Sequence, residues 1–317
     1  MNDIPILMPA PMPATVIDAL DRHFTLHRLW EQPDADAFLA RHGATIRGIA
    51  ANALAGRINA GLFDRLPALE IVANFGVGYD NIDARAAAER GVMVTNTPGV
   101  LDAEVADLTL GLLLATIRRL PQADRYVRDG RWPDAPFPLS PTLRGRTVGI
   151  IGLGAIGKQI ARRLEAFDVA IAYHGRTRQR DVDYAYYDTP VALAGACDVL
   201  IAIVPGSAST QHLVDAAVLD ALGRDGIFVN VARGSVVDEP ALIAALQSGT
   251  ILAAGLDVYA DEPNVPEALR ALDNVVLLPH LGSASEHTRA AMGQLVVDNL
   301  TSWFSQRRVV TPVPETA

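Results

Sequence analysis

Between Thr147 and Leu164 the chain reads TVGIIGLGAIGKQIARRL: a short apolar, β-branched run, then glycines at 152, 154 and 157, then a helix with one apolar side. No other stretch limits the fold as much. Gly-x-Gly-x-x-Gly between a strand and a helix is the signature of a tight βα turn at the end of a strand in a parallel sheet. Gly152 would permit the turn, Gly154 would let a phosphate approach the backbone, and Gly157 would let helix and strand pack closely. Leu153, Ala155 and Ile156 complete the turn, and the helix start behind them offers N–H groups and a positive dipole end to an anion. An inert strand–turn–helix is the competing reading of the motif in isolation.

The rest of the chain supplies the context the motif requires. IPILMP, IRGIAA, EIVANFG and VMVTNTP read as strands before the motif, with PATVIDALDRH, LFDRLP and DARAAAERG as helices or helical turns between them. After it come DVAIAYHG, CDVLIAIV, GIFVNVA, ILAAGLDV and NVVLLPH, with IGKQIARRLEAF, AAVLDALG and EPALIAALQSG as helices among them. Two such series predict an α/β protein with two Rossmann-like or flavodoxin-like domains, each on a parallel sheet. A long helix over Ala103–Arg119 leads from the first series into the second, and SEHTRAAMGQLVVDNLTSWFSQ can carry the chain back. The second domain is then an insertion into the first, with residues 1–98 and 287–317 in one and 99–286 in the other. The Pro-rich stretch RDGRWPDAPFPLSPTLRG reads as irregular.

Composition narrows the partners. The net charge of −9 argues against a general affinity for nucleic acid or an anionic membrane, so any anion site must be a local cluster of positive charge. The single cysteine, Cys197 in the apolar run AGACDVLIAIV, excludes an internal disulfide and reads as a buried small hydrophobe in a reducing, cytoplasmic setting. MNDIPILMPAPMP lacks the basic leader and apolar core of a signal peptide, and the apolar helix pattern Ala106–Leu120 is too short to span a bilayer. No His, Cys or Asp cluster has metal-ligand spacing, so no metal is expected. His23, His27, His42, His212 and His287 stand in no catalytic context.

Three later segments place chemistry-capable residues directly after strands: NVARGSVVDE with Arg233, GLDVYADEP with Asp257 and Glu262, and VVLLPHLGSAS with His280. In an open α/β sheet, ligands bind at the carboxyl ends of the strands, so these residues can converge on one cleft. With FGVGYDNID, VTNTPGV and GLGAIG before them, the ordered motifs resemble the D-isomer-specific 2-hydroxyacid dehydrogenases over essentially the whole chain.

The resemblance implies that Arg233, Glu262 and His280 are catalytic. A 2-ketoacid presents a carboxylate beside a ketone; the planar fork of Arg233 can pair with the first and polarise the second. His280 can donate the proton that the new alkoxide needs, and Glu262 behind it would orient the ring and favour its charged form. By the same resemblance the backbone N–H groups of Val77 and Gly78 hold the substrate carboxylate, with Arg233, His280 and Ser283 as further substrate contacts. The cofactor would lie along Gly152 to Gly157, then His174, Gly175, Arg176, Thr177 and Arg178. Val204, Pro205, Val231, Ala232, Arg233, Asp257, His280 and Gly282 would complete its site.

The second strand of the nucleotide domain ends in VAIAYHGRTRQR. An acid that would accept from the ribose hydroxyl of NAD is expected there, about 20 residues past the glycines. Instead Gly175 removes side-chain bulk while Arg176 and Arg178 bring positive charge, with Thr177 as a hydroxyl donor, which points to the 2′-phosphate of NADP(H). A solvated turn on an acidic protein is the alternative. Within the family the motifs look most like glyoxylate/hydroxypyruvate reductases, which reduce these small 2-ketoacids to glycolate and D-glycerate. Bulkier 2-ketoacids such as phenylpyruvate, or a non-enzymatic dinucleotide sensor like the family's corepressors, are the other readings. Asp102, where many relatives carry Thr, is a departure. A homodimer is implied, with the helix Ala106–Leu120 as an interface element and Trp132 either reaching the neighbouring active site or packing locally.

Overall fold

The computed structural model describes residues 3–317. Contacts divide the chain into two compact units, Met1–Leu101 with Ser285–Ala317, and Asp102–Ala284. The sequence-based boundaries lie at 98/99 and 286/287.

The first unit carries five parallel strands: β1 (Pro5–Met8), β2 (Thr25–Arg28), β3 (Gly48–Asn52), β4 (Ile71–Phe75) and β5 (Met93–Thr95). Their order is β2-β1-β3-β4-β5, the flavodoxin-like arrangement whose direction reverses between β1 and β3. All five residues of β3 and of β4 are buried, as expected of central parallel strands covered on both faces. The helix Glu286–Gln306 packs against β4 and against the helix Ala14–Asp21.

The second unit holds seven parallel strands: β6 (Thr147–Ile151), β7 (Ala170–His174), β8 (Ala185–Tyr187), β9 (Val199–Ala202), β10 (Ile227–Asn230), β11 (Ala253–Leu256) and β12 (Val275–Leu277). Their order, β12-β11-β10-β9-β6-β7-β8, is that of a Rossmann sheet, and its switch point lies between β6 and β9. Alternate residues of β9 serve opposite faces. Leu200 and Ala202 enter one core cluster, Val199 and Ile201 the other. Val199, Leu200 and Ile201 each contribute about 1.5–3 kcal/mol on burial.

Two strands and several short helices are absent from the hydrophobic pattern. β2 reads TLHR and β8 reads AYY; both lie at sheet edges, where one flank is unpaired and a strong apolar pattern is not needed. The helices Ala35–His42, Leu120–Arg128, Pro190–Ala194 and Glu267–Arg270 were likewise not anticipated. The apolar helix, observed as Asp102–Ile117, spends Ala106, Leu110, Leu112, Leu113 and Ile117 in the core of its own unit. Exposed large apolar side chains follow it, at Leu120, Val127, Trp132 and Leu139. Asp102 occupies the first turn of that helix with Glu104, where negative charge suits the dipole.

Candidate active site

The three fingerprint glycines answer three different steric demands. Gly152 has φ +101°, and a Cβ there would meet the Ile203 carbonyl oxygen at 2.3 Å. At Gly157 a Cβ would strike the Gly152 carbonyl oxygen at 2.1 Å, so helix and strand approach only because neither bears a side chain. Gly154 is the opposite case: nothing lies within 4 Å of its Cβ position. It is also the N-cap of the helix Ala155–Leu164, with no side chain satisfying the helix start. Open space in front of uncapped N–H groups fits a pyrophosphate.

The turn after β7 faces solvent but is tied down from beneath. Arg176, Thr177 and Arg178 are exposed, and the Cβ position of Gly175 opens onto empty space. His174 Nδ1 lies 3.0 Å from the Tyr187 carbonyl, and the Tyr186 hydroxyl donates to the Gly175 carbonyl at 3.2 Å. Gln179 is the main tether. Its N–H donates to the buried Tyr173 hydroxyl at 2.7 Å, and its Nε2 donates to the carbonyl of Leu153 in the glycine loop, also at 2.7 Å. The nearest acid beyond the turn, Asp181, pairs with Lys158 at 2.7 Å, and that hydrogen bond holds its carboxyl below the usual range. Sequence reasoning passed over Gln179, because nothing local marks a glutamine as a clamp. After β9, Val204 and Pro205 follow in an irregular loop, where the Thr210 hydroxyl donates to the Pro205 carbonyl at 2.7 Å.

At the ends of β10, β11 and β12 the chain is locked at nearly every step. Asn230, 1% exposed, accepts from Ala232 N–H at 3.0 Å and donates to the Arg233 carbonyl at 3.0 Å, which sets the Val231–Ala232–Arg233 segment. Gly234 follows because a Cβ there would fall 1.8 Å from the Tyr259 carbonyl oxygen. Asp257, 2% exposed, accepts from Leu281 N–H at 2.6 Å and from Gly282 N–H at 2.8 Å, while its own carbonyl accepts from His280 N–H at 2.9 Å. Burial raises its carboxyl above the usual range, against the pull of those N–H groups and of His280. Asp257 thus anchors the loop that carries His280 and leads on to Ser283. His280 itself has φ 55°, a left-handed backbone unusual for a non-glycine residue, of the kind that persists where surrounding bonds over-determine it.

The His280 side chain meets Glu262: Nδ1 lies 2.7 Å from Oε2, with the two side chains 38% and 33% exposed. Glu262 Oε1 accepts from Tyr259 N–H at 3.0 Å, and the Tyr259 hydroxyl donates to the Leu278 carbonyl at 2.9 Å. Burial pushes the Glu262 carboxyl up, but the His280 bond and charge, the Tyr259 N–H and the charge of Arg233 together bring it below its ordinary value. An ionised carboxylate only accepts, so Nδ1 carries the hydrogen and the ring turns Nε2 away from Glu262. Among the described residues no protein group bonds Nε2. The arrangement is a carboxylate-backed imidazole with one nitrogen available to a reacting oxygen, and with the charge of Arg233 felt at Glu262.

In the first unit, the loop after β4 turns its carbonyls inward. Asn74, 1% exposed, donates to the carbonyls of Gly76 at 3.1 Å and Gly78 at 2.8 Å, and Asn96 donates to that of Val77 at 2.8 Å. The N–H groups of Val77 and Gly78 have no protein acceptor among the described residues. Two adjacent amides left over when all neighbouring carbonyls are engaged form an anion-binding concavity. A buried asparagine in an apolar strand was the available signal for Asn74, as for Asn230.

Residues 110–282 match the family described as D-isomer specific 2-hydroxyacid dehydrogenase, NAD binding domain. The chain is similar to a glyoxylate/hydroxypyruvate reductase A of Arabidopsis thaliana, 48% identical over 99% of this chain and 100% of that one. It is similar also to a hydroxyphenylpyruvate reductase of Plectranthus scutellarioides, 46% identical over the same shares. Among solved structures, an NADPH-dependent glyoxylate/hydroxypyruvate reductase of Sinorhizobium meliloti, in complex with NADP and malonate, matches with a TM-score of 0.94. It is 54% identical and covers 99% of this chain and 97% of its own.

Proposed function

The chain belongs to the D-isomer-specific 2-hydroxyacid dehydrogenases, and from that premise we propose that it is an NADPH-dependent reductase of small 2-ketoacids, converting glyoxylate to glycolate and hydroxypyruvate to D-glycerate. The observation that carries this reading is the Glu262–His280 pair at 2.7 Å with Nε2 left to a substrate oxygen. Arg233 pairs with the substrate carboxylate through its fork and polarises the ketone. The amides of Val77 and Gly78 take the same carboxylate, and Ser283 adds a contact. His280 passes its Nε2 proton to the ketone oxygen as that oxygen gains charge, and Glu262 stabilises the ring while it is protonated. NADPH, when bound, supplies the hydride that the ketone carbon accepts, and the product is the 2-hydroxyacid.

For the cofactor, the Gly152–Gly157 turn holds the pyrophosphate and Gly175, Arg176, Thr177 and Arg178 hold the 2′-phosphate, which a carboxylate at this point would repel. His174, Val204, Pro205, Val231, Ala232 and Gly282 line the remainder, with Asp257 fixing the loop on the nicotinamide side. The exposed apolar segment, with Leu139 99% and Trp132 66% exposed, supports a homodimer in which Trp132 enters the partner's active site. The lone thiol of Cys197, pushed up to about 12 by burial, is unreactive and suits a reducing cytoplasm.

A second reading, reduction of bulkier aromatic 2-ketoacids, is favoured by the similarity to the Plectranthus hydroxyphenylpyruvate reductase. Absorbance of NADPH in the presence of glyoxylate, hydroxypyruvate and phenylpyruvate decides between them. Oxidation only with phenylpyruvate would select the second reading, and cofactor binding with no turnover on any of the three would make the protein a sensor.

A further inference from the structure

The segment after the helix Glu286–Gln306 returns along β5, the last strand of its sheet, and makes two separable sets of bonds. In the first, Pro312 bridges antiparallel to Thr95, Val313 N–H donates to the Val94 carbonyl at 3.0 Å, and the Thr316 hydroxyl accepts from Val94 N–H at 3.1 Å. These bonds cover a sheet edge that would otherwise be open. Thr311 is committed elsewhere. Its hydroxyl donates to the Asn96 carbonyl at 2.6 Å and its own carbonyl accepts from Asn96 N–H at 3.3 Å, so both backbone groups of a residue past the end of β5 are held. Asn299, 1% exposed on the helix, sets Thr311 in turn. Its Nδ2 donates to the Thr311 hydroxyl at 2.9 Å, and its Oδ1 accepts from the N–H groups of Val310 at 2.9 Å and Thr311 at 3.1 Å.

Asn96 spends its side chain on the loop after β4, donating from Nδ2 to the Val77 carbonyl at 2.8 Å. A peptide unit is planar and the Val77–Gly78 bond is trans, so the direction of the Val77 carbonyl fixes that of the Gly78 N–H. The two leftover amides of this loop therefore have different supports. That of Val77 is set through the Gly76 carbonyl, which accepts from Asn74 Nδ2 and from Thr97 N–H, both at 3.1 Å. That of Gly78 is set through Asn96, whose backbone is held by Thr311. The Tyr79 hydroxyl also donates to the Glu315 carboxylate at 3.1 Å, a second and solvent-exposed attachment between segment and loop.

We propose that Thr311 is a positioning residue, which through Asn96 aims the Gly78 N–H at the carboxylate of the 2-ketoacid. The inference rests on the reading above that the Val77 and Gly78 amides take that carboxylate. A segment that only covered the sheet edge would need its bonds to Val94 and Thr95, and none to Asn96. The carboxylate keeps its charge from bound ketoacid to transition state. Loosening an amide that holds it therefore weakens both alike, which raises KM and leaves kcat nearly unchanged.

The test uses Thr311→Val, which keeps the β-branched shape and loses the hydroxyl, and Thr311→Ser, which keeps the hydroxyl. With glyoxylate and hydroxypyruvate, KM should rise about two- to tenfold in Thr311→Val, the scale of one hydrogen bond, at nearly constant kcat and NADPH affinity. Thr311→Ser should return toward the wild type. A loss of kcat at unchanged KM would overturn the proposal, since Thr311 would then serve the fold. A second measurement needs no turnover. Valine labelled with 13C at the carbonyl and glycine labelled with 15N together mark only Gly78 and Gly149, because the sequence holds two Val–Gly pairs. Gly149, in β6, is the internal control. In Thr311→Val the Gly78 amide resonance should shift while that of Gly149 stays. A Gly78 resonance that also stays in place sinks the proposal. A shift of Gly78 in the variant supports the positioning role even if malonate fails to move the wild-type resonance, and that last outcome would count against the parent reading alone.

Discussion

At the end of β7, Arg176 and Arg178 stand exposed on a turn that is tethered at Gln179, Gly175 and His174. At the ends of β10 to β12 the reverse holds: Asp257, Asn230 and Tyr259 are buried, and their polar atoms are committed to the segments carrying Arg233, Glu262 and His280. The proposed function accounts for the difference. Recognition of a phosphate needs positive charge within reach, and long side chains can close on it after it arrives. Proton transfer needs a nitrogen held within a few tenths of an ångström of its target, so the bonds that hold it must exist beforehand.

That contrast can be broken most directly at His280. His280→Ala should lower kcat by about 10²- to 10⁴-fold, the usual worth of a positioned general acid, while the NADPH dissociation constant measured by fluorescence changes far less. Turnover close to wild type in that variant would remove His280 from the mechanism. Next in size, Arg176→Ala should weaken NADPH about ten- to a hundredfold and NADH little, because only the former carries the 2′-phosphate. Equal losses for the two cofactors would mean that the turn merely solvates.

Gln179→Ala sharpens the comparison, since it leaves both arginines in place and removes the tether below them. A several-fold rise in KM for NADPH at unchanged kcat is expected, from one hydrogen bond worth about 0.5–1.5 kcal/mol. A change in kcat instead would tie the clamp to the reacting centre. The smallest effect concerns pH. The Glu262 carboxyl is depressed below its ordinary value of 4.5 chiefly by the His280 bond and charge, which overcome burial. Its contribution to stability is therefore present above that ordinary value and is lost as pH falls through the lower folded value. Thermal melts of wild type and Glu262→Gln should differ near neutrality and converge on acidification below that range; a constant gap across the series would contradict the ionised pair.

Much of this was legible in the residues themselves. The fully buried strands β3, β4, β9 and β10 announce themselves as apolar runs, and Gly152, Gly154 and Gly157 state their turn because each serves a local backbone demand. The missing acid after β7 shows in the sequence for the same reason: charge type at a strand end needs no partner to be read. Arg233, Glu262 and His280 could be placed after their strands, and Glu262 beside His280 by resemblance.

What only the tertiary structure decided depends on partners distant in sequence. The edge strands β2 and β8 form because a neighbour offers a ladder, not because their own residues insist on it. Asp257 becomes an anchor through amides 24 and 25 residues away, and Gln179 a clamp through a carbonyl 26 residues back. Arg289 meets Phe75 across most of the chain, where no pattern of local spacing reaches. Periodicity and turn chemistry are properties of neighbours along the chain, so the sequence by itself determined the two parallel sheets, the glycine turn and the chemical kinds of residue at the strand ends. Hydrogen bonds and burial between remote segments are properties of the folded chain. They decided which of those residues are held rigid, and which stay open to a ligand.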